Sequence, residues 1–230
     1  MILSAMFAAS LAAATPQCAP DATPAAAICR ALAAQAANHP AEAAAAFEAA
    51  AAAGPDDPAA ARALAAAGNM WIAAGQPGKA AAALDRALAG KGLLADQRGE
   101  ALLDRARAAE AQGDLKTARA KLSQAAATVS ADPFYWYFSA ALAVREADVP
   151  TAKLAIARAL TLAPGDPTIL FEAGHVASLA GEDARAREYW TRAAAADPTG
   201  PSGSAAKRAL GLVAVPLAVS GSAVPSGKDE

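Results

Sequence analysis

The stretch Pro167–Gly200 reads PTILFEAGHVASLAGEDARAREYWTRAAAADPTG, and its reading decides the fold. Two alanine-rich segments flank a short break at Gly181-Glu182, and Pro198 closes the second of them. Beyond the break, Ala186, Trp190 and Ala193 recur at helical spacing. A small residue lets two helix backbones approach closely, and a large one on the next turn fills the space beside it. Proline ends such a helix because it has no N–H for the i→i−4 bond.

The same pattern returns one step of 34 residues toward the N-terminus, at Ala147-Asp148 with Ala152, Ile156, Ala159 and Pro164. A further 34 residues back stands Gly113-Asp114, followed by Ala118, Leu122 and Ala125. It continues through Gly75 with Ala80, Leu84 and Ala87, and through Asn38 with Ala43, Phe47 and Ala50, Pro55 closing the first unit. A recurring helix pair is a stacking unit, because one pair cannot bury its own apolar face.

Composition agrees. Of 230 residues 77 are alanine, the strongest helix former, so the chain is expected to be almost wholly helical. Aromatics at 5% are too few for a pleated interior, which excludes an all-β fold. At 55% hydrophobic and 18% charged the chain is too apolar for a disordered tail. A net charge of −2 and a pI near 5.7 offer no basic surface for phosphates, so no nucleic-acid partner is expected.

With these residues the chain resembles the tetratricopeptide repeat family, whose 34-residue unit carries small residues at its eighth, twentieth and twenty-seventh places. In Pro167–Gly200 those are Gly174, Ala186 and Ala193, while Leu170, Ala177, Trp190 and Pro198 fill other signature places. Five units start near Pro24, Ala61, Gly99, Pro133 and Pro167 and cover 24–200. The family's common tryptophan at the fourth place is kept by Trp136 and replaced by Ala27, Leu64 and Leu102. Extra residues, Lys91-Gly92 among them, separate the second and third units. The resemblance implies an all-α, right-handed α-solenoid. A helix over 201–213 would cap it through Leu210 and Val213, and residues 214–230, rich in Pro, Ser and Gly, read as a flexible tail.

Ile2 to Ala14 is apolar and uncharged and ends in three alanines, the length and ending of a signal-peptide core, although no Lys or Arg precedes it. It is short of the roughly 20 apolar residues that cross a bilayer. Residues 1–14 are therefore expected to be a signal peptide and 15–23 an N-terminal arm; a buried first helix is the alternative. Cys18 stands too far beyond Ala14 for a lipid anchor. Cys18 and Cys29 are the only cysteines and, in an oxidising compartment, would close a loop worth about 3 kcal/mol. Two unpaired thiols are the alternative. Export and the disulfide support each other, and together they imply a periplasmic or otherwise exported bacterial protein with no membrane span in its mature form.

Catalytic chemistry finds no foothold. Gly78-Lys79 lacks the spacing and the following Ser or Thr of a phosphate loop and is expected in an inter-helix turn. Glu172 and His175 form one Glu-x-x-His pair where di-iron bundles need two, and His39, the other histidine, falls in a turn. No nucleophile elbow is present, and charged strings such as Asp104-Arg105 and Glu182 to Arg187 read as solvated helix surface. No enzymatic activity, metal or cofactor is expected.

The resemblance also implies a groove lined by the first helix of each unit. Carried onto this sequence, its polar and aromatic members are Asn69, Arg107, Glu110, Phe134, Tyr137, Phe171 and His175. Some relatives grip a terminal carboxylate from five such places; only Asn69 and Arg107 match, with Ile28, Leu32 and Leu103 at the rest, so such a clamp is not expected. The run Phe134-Tyr135-Trp136-Tyr137-Phe138 cannot point all its rings one way at 100° per residue. Trp136 is expected in the core, with Phe134 and Tyr137 toward the groove as anchors for a partner. Burial of all five is the alternative. The expected function is a non-catalytic protein–protein adaptor of the bacterial envelope that binds a peptide or helix of another protein. The alternative is a binding protein for a small ligand or cell-wall fragment.

Overall fold

A computed structural model of the chain describes residues 18–55 and 57–212. Among them are eleven helices and no strand. They are α1 (Pro24–Ala36), α2 (Pro40–Ala53), α3 (Pro58–Ala73), α4 (Pro77–Ala89), α5 (Ala95–Ala111), α6 (Leu115–Val129), α7 (Pro133–Arg145), α8 (Val149–Leu162), α9 (Pro167–Leu179), α10 (Asp183–Ala196) and α11 (Pro201–Leu212). The signal-like stretch 1–14, Val213 and the tail 214–230 lie outside the described residues.

Each of the first five helix pairs is joined by a turn of three residues, and the middle one is the break read from the sequence. Asn38, Gly75, Gly113, Ala147 and Gly181 all adopt positive φ, between 56° and 80°. Each turn is a Schellman closure. The middle N–H donates to the carbonyl three residues back, as Gly181 does to Ser178 at 3.0 Å, and the next N–H to the carbonyl five back, as Glu182 does to Ala177 at 2.8 Å. The carbonyl of the third turn residue then accepts the first bond of the next helix, Ala186 N–H to Glu182 at 2.9 Å. One turn thus ends one helix and starts the other. Between Asn38 and Gly113 the steps lengthen to 37 and 38 residues, and α3 and α5 have 16 and 17 residues against 13 in α1, α7 and α9. The insertions are therefore absorbed as extra helix, which is why α3 and α5 start at Pro58 and Ala95, ahead of Ala61 and Gly99. Gly78-Lys79 likewise lies in the first turn of α4 rather than in a connection, since Pro77 already fits the first helical place.

The repeated alanines are the packing seam. Ala43, Ala80, Ala87, Ala118, Ala125, Ala152, Ala159, Ala186 and Ala193 are wholly buried, with Ala50 nearly so, and Phe47, Leu84, Leu122, Ile156 and Trp190 are buried between them. The first helix presents a matching small residue: Ala31, Gly68, Ala106, Ala140 and Gly174. A Cβ at Gly68 would overlap the Leu84 side chain, and one at Gly174 the Trp190 indole. The Trp190 Nε1–H instead donates to the Phe171 carbonyl at 3.1 Å.

The chain divides into two compact units, Met1–Tyr135 and Trp136–Glu230, the boundary falling inside α7. In the first, each helix from α1 to α6 packs on the next, and α3 also meets α5. In the second, α8 packs on α9, α9 on α10, and α11 on both α9 and α10, with Ala206 wholly buried. The Asp197 carboxylate starts α11, accepting from the N–H groups of Gly200, Ser202 and Gly203 at 2.9 to 3.2 Å. In the aromatic run the buried rings are Tyr135 and Phe138, not Trp136, which sits half-buried against the second unit's core. The buried residues of α7 are Tyr135, Phe138, Ser139, Ala140, Leu142 and Ala143, and Trp136, one turn before Ala140, packs on the edge of that core. Burial pushes the Tyr135 phenol upward, partly opposed by Arg119.

Cys18 and Cys29 are joined in a disulfide with Cα atoms 5.6 Å apart. It ties the arm to α1, and the Arg30 Nη1 holds the same arm by donating to the carbonyls of Ala19 and Asp21 at 2.8 and 3.0 Å.

Three measurements test this architecture. Alanine in a left-handed conformation costs about 1–2 kcal/mol, so Ala147→Gly is expected to raise the thermal midpoint despite glycine's greater chain entropy. Gly174→Ala, favourable by helix propensity alone, is expected to destabilise by about 1–3 kcal/mol because the indole must move; a higher midpoint would contradict the close approach. For the disulfide, Cys18→Ser with Cys29→Ser should remove about 3 kcal/mol and abolish the effect of reductant on unfolding.

Candidate functional site

Helices α3 and α5 are each the first of their pair, and their contact leaves a cavity of about 270 Å³. Arg62, Ala65, Ala66 and Asn69 line it from α3; Gln97, Glu100, Ala101 and Asp104 line it from α5, and Leu93 from the connection before it. These spacings put each set on one helix face. The alanines leave the floor shallow, so the polar groups stand above it.

Asp104 organises this site. Its Oδ2 accepts from the Asn69 Nδ2 at 2.8 Å across the two helices, and its Oδ1 from the Arg107 Nη1 at 2.8 Å one turn along α5. The Arg107 guanidinium in turn lies 5.2 Å from the centroid of the Phe134 ring, in the first turn of α7. An amide, a carboxylate, a cation and an aromatic face thus form one chain over three helices. Each link is a recognised attraction: a hydrogen bond, a charge-assisted hydrogen bond, and a cation–π contact. The Asp104 side chain keeps 16% of its surface and Arg107 32%, so the pair is screened less than an open surface pair.

Three of the residues expected in the groove, Asn69, Arg107 and Phe134, are therefore brought together here. Glu110 lies one turn beyond Arg107 on α5 and is half-buried. The other three fall in the second unit. Tyr137 is half-buried against the core formed by Ala140, Ile156 and Val176. Phe171 and His175 meet edge to face on α9 with centroids 4.3 Å apart, and the His175 ring lies 5.8 Å from that of Trp190. His175 is also paired, its Nδ1 standing 3.3 Å from the Oε2 of Glu172, itself almost fully buried.

Sequence reasoning missed the central member. Asp104 and Arg105 read as solvated surface, but Asp104 links Asn69 to Arg107, and Arg105 donates to Asp85 at 2.8 Å with only 14% of its side chain exposed. The available signal was Asp104 lying three residues before Arg107, a helical spacing at which a carboxylate and a cation meet. The charged string from Glu182 stays largely exposed, with the Lys153 ammonium and Arg185 holding the Glu182 carboxyl below its ordinary range. Lys79 places its ammonium 4.3 Å from the centroid of the Trp71 ring. No group of three or more His, Cys, Asp and Glu able to hold a metal occurs among the described residues. No described helix is long and apolar enough to cross a membrane.

A double-mutant cycle measures the bridge. Asn69→Ala and Asp104→Ala are expected to couple by about 1 kcal/mol in urea unfolding, the worth of one part-buried hydrogen bond. Purely additive effects would mean that the bridge contributes nothing.

No protein-family model matches the chain, and no curated protein matches it in sequence. Solved structures do match in fold. A crystal structure of MamA protein shares 16% identity at a TM-score of 0.61, covering 84% of this chain and 98% of that one. PilW, described as a widely conserved type IV pilus biogenesis factor, shares 20% at a TM-score of 0.66, covering 79% and 81%. YrrB, described as a TPR protein with an unusual peptide-binding site, shares 20% at 0.58, covering 82% and 92%. The chain has the tetratricopeptide repeat fold.

Proposed function

We propose that this protein is a non-catalytic protein–protein interaction scaffold of the bacterial cell envelope. It binds a peptide or helix of another protein on the faces of its first helices. The observation that supports the reading is the chain from Asn69 through Asp104 and Arg107 to Phe134, polar, charged and aromatic groups linked along α3, α5 and the first turn of α7. Amphipathic and aromatic groups around a shallow floor suit the side chains of a passing segment. Glu110 extends that surface, and Tyr137, Phe171 and His175 offer a second one in the other unit.

The likeness in fold to PilW, a pilus biogenesis factor, and to YrrB, with its peptide-binding site, supports binding of a protein segment. Export is supported by the apolar opening stretch and by the Cys18–Cys29 disulfide, a bond that persists in oxidising compartments. Three cavities among the described residues, of about 210 to 270 Å³, fall below the roughly 300–1,000 Å³ of pockets that enclose a drug-sized ligand. They suit single side chains of a longer partner, which favours this reading over a small-ligand carrier.

Affinity capture from envelope extract, read by mass spectrometry, tests it with the full chain, Phe134→Ala, Tyr137→Ala and the double variant. A protein retained by the parent and lost by a variant whose helical unfolding is unchanged supports the scaffold and assigns the unit. Loss of helical cooperativity together with binding would show that the rings are structural only. Enrichment of nothing by the parent would overturn the scaffold reading.

A further inference from the structure

Counting back from the left-handed turn residues aligns an acidic residue of α5 with one of α9. Asp104 stands nine residues before Gly113 and Glu172 nine before Gly181, while Arg107 and His175 each stand six before the same glycines. Within each helix the carboxylate meets that second residue. Asp104 Oδ1 accepts from Arg107 Nη1 at 2.8 Å, and Glu172 Oε2 lies 3.3 Å from His175 Nδ1. The other carboxylate oxygen is where the two units differ. In the first unit Asn69, six residues before Gly75 on the preceding first helix, donates to Asp104 Oδ2 at 2.8 Å. In the second unit the preceding first helix is α7, which shares with α9 a core containing Ala140, Ala143, Ala173 and Val176. Six residues before its turn residue Ala147 stands Ala141, whose methyl group has nothing to donate.

Glu172 Oε1 accordingly has no hydrogen-bond partner, and Glu172 makes no ion pair with a Lys or Arg among the described residues. Cations of α10 and α11 are engaged elsewhere: Arg185 donates to Glu182, Arg192 to the Pro164 carbonyl and Lys207 to the Pro198 carbonyl. The Glu172 side chain keeps only 10% of its surface, so water offsets little of the cost of holding a charge there. Yet Oε1 is not sealed in. The one fully buried side-chain polar atom without a partner among the described residues is Trp71 Nε1. Beside Glu172, the His175 side chain keeps 40% exposure and meets the half-buried Phe171 edge to face, so aromatic surface flanks the opening.

A group that suits this place brings both N–H donors and positive charge. A neutral amide makes the hydrogen bond but leaves the buried charge uncompensated, and an anion meets the carboxylate at close range. A guanidinium supplies donors and charge together, and its flat, weakly hydrated face tolerates aromatic neighbours. We propose that Glu172 is the binding point for an arginine side chain of a partner, whose guanidinium takes in the second unit the place that the Asn69 amide fills in the first, flanked by Phe171 and His175. The scaffold reading supplies the partner; the chemistry of this subsite is independent of it.

The test uses the full chain titrated to millimolar concentration with capped Ala-Ala-Arg-Ala-Ala and with its citrulline counterpart, which has nearly the same shape without the charge. The readout is the NMR signals of the His175 ring and of the Trp190 indole N–H, which donates to the Phe171 carbonyl. In the parent, the arginine peptide is expected to move the His175 signals saturably and to bind at least about tenfold more tightly than the citrulline peptide, roughly one charge-assisted hydrogen bond. Glu172→Gln keeps the size and removes the charge, and should erase that preference. Ala141→Asn leaves Glu172, His175 and Phe171 in place and returns an internal donor, so it should weaken the arginine peptide by a similar factor. A parent that answers both peptides alike, or neither, overturns the proposal whatever the variants do. So does either variant, with native circular dichroism, that keeps the parent's preference. A protein captured from extract whose binding ignores Glu172→Gln would sink this subsite and leave the scaffold. A preference for arginine with no captured protein would leave the subsite and sink the scaffold.

Discussion

Everything in this molecule depends on how closely two helices of a pair approach, and that is set by alanine against alanine or glycine. A wholly buried Ala186 beside Gly174, with Trp190 laid over the gap, is the arrangement in the last pair. The three-residue turn fixes its register. Because the middle residue is left-handed, the closing N–H bonds fall on the last carbonyls of the first helix, and the next helix starts at a set rotation. Glycine suits that place in three of the five turns, asparagine tolerates it, and Ala147 holds it against its preference. With the turn and the seam fixed in the first unit, the outward residues of α3 and α5 meet across one cavity. The site is a by-product of that order.

The site itself shows how an internal ligand shapes a surface. Asp104 is neither core nor free surface. It satisfies an amide on the neighbouring helix and a guanidinium on its own, and it holds Arg107 where it meets the Phe134 ring. Pre-ordering these side chains lowers the entropy cost of any later contact with them, which is how a shallow face acquires selectivity. The Glu172–His175–Phe171 group on α9 follows similar logic in the second unit, with a buried carboxylate orienting a histidine against aromatic rings.

Much of the fold was legible because its determinants are local and periodic. The five breaks, the small residues after them and the large residue between were all readable, since steric exclusion acts at fixed spacing. Register inside α7 was not readable. Five consecutive aromatic residues give no apolar period to follow: the fully buried rings are Tyr135 and Phe138, while Trp136 meets the core only half-buried. The insertions near Lys91-Gly92 were visible as extra residues, but their absorption into longer helices was not, because an alanine-rich sequence carries no signal for where a helix begins. At the candidate site, Asn69, Arg107 and Phe134 were singled out by family position, whereas their link through Asp104 was not foreseen. A hydrogen bond spanning 35 residues leaves no mark in a local pattern.

An alanine seam also governs how such a sequence drifts. Its residues admit almost no exchange: a larger side chain does not fit, and glycine loosens the helix. Phe47, Leu84, Leu122, Ile156 and Trp190, by contrast, show one buried place accepting four different large side chains across five pairs of a single chain. Divergence is therefore channelled into the filler residues and the outer faces. Two chains can come to share only a fifth of their residues while the helix spacing stays almost unchanged, and their binding faces become unrelated long before their backbones do.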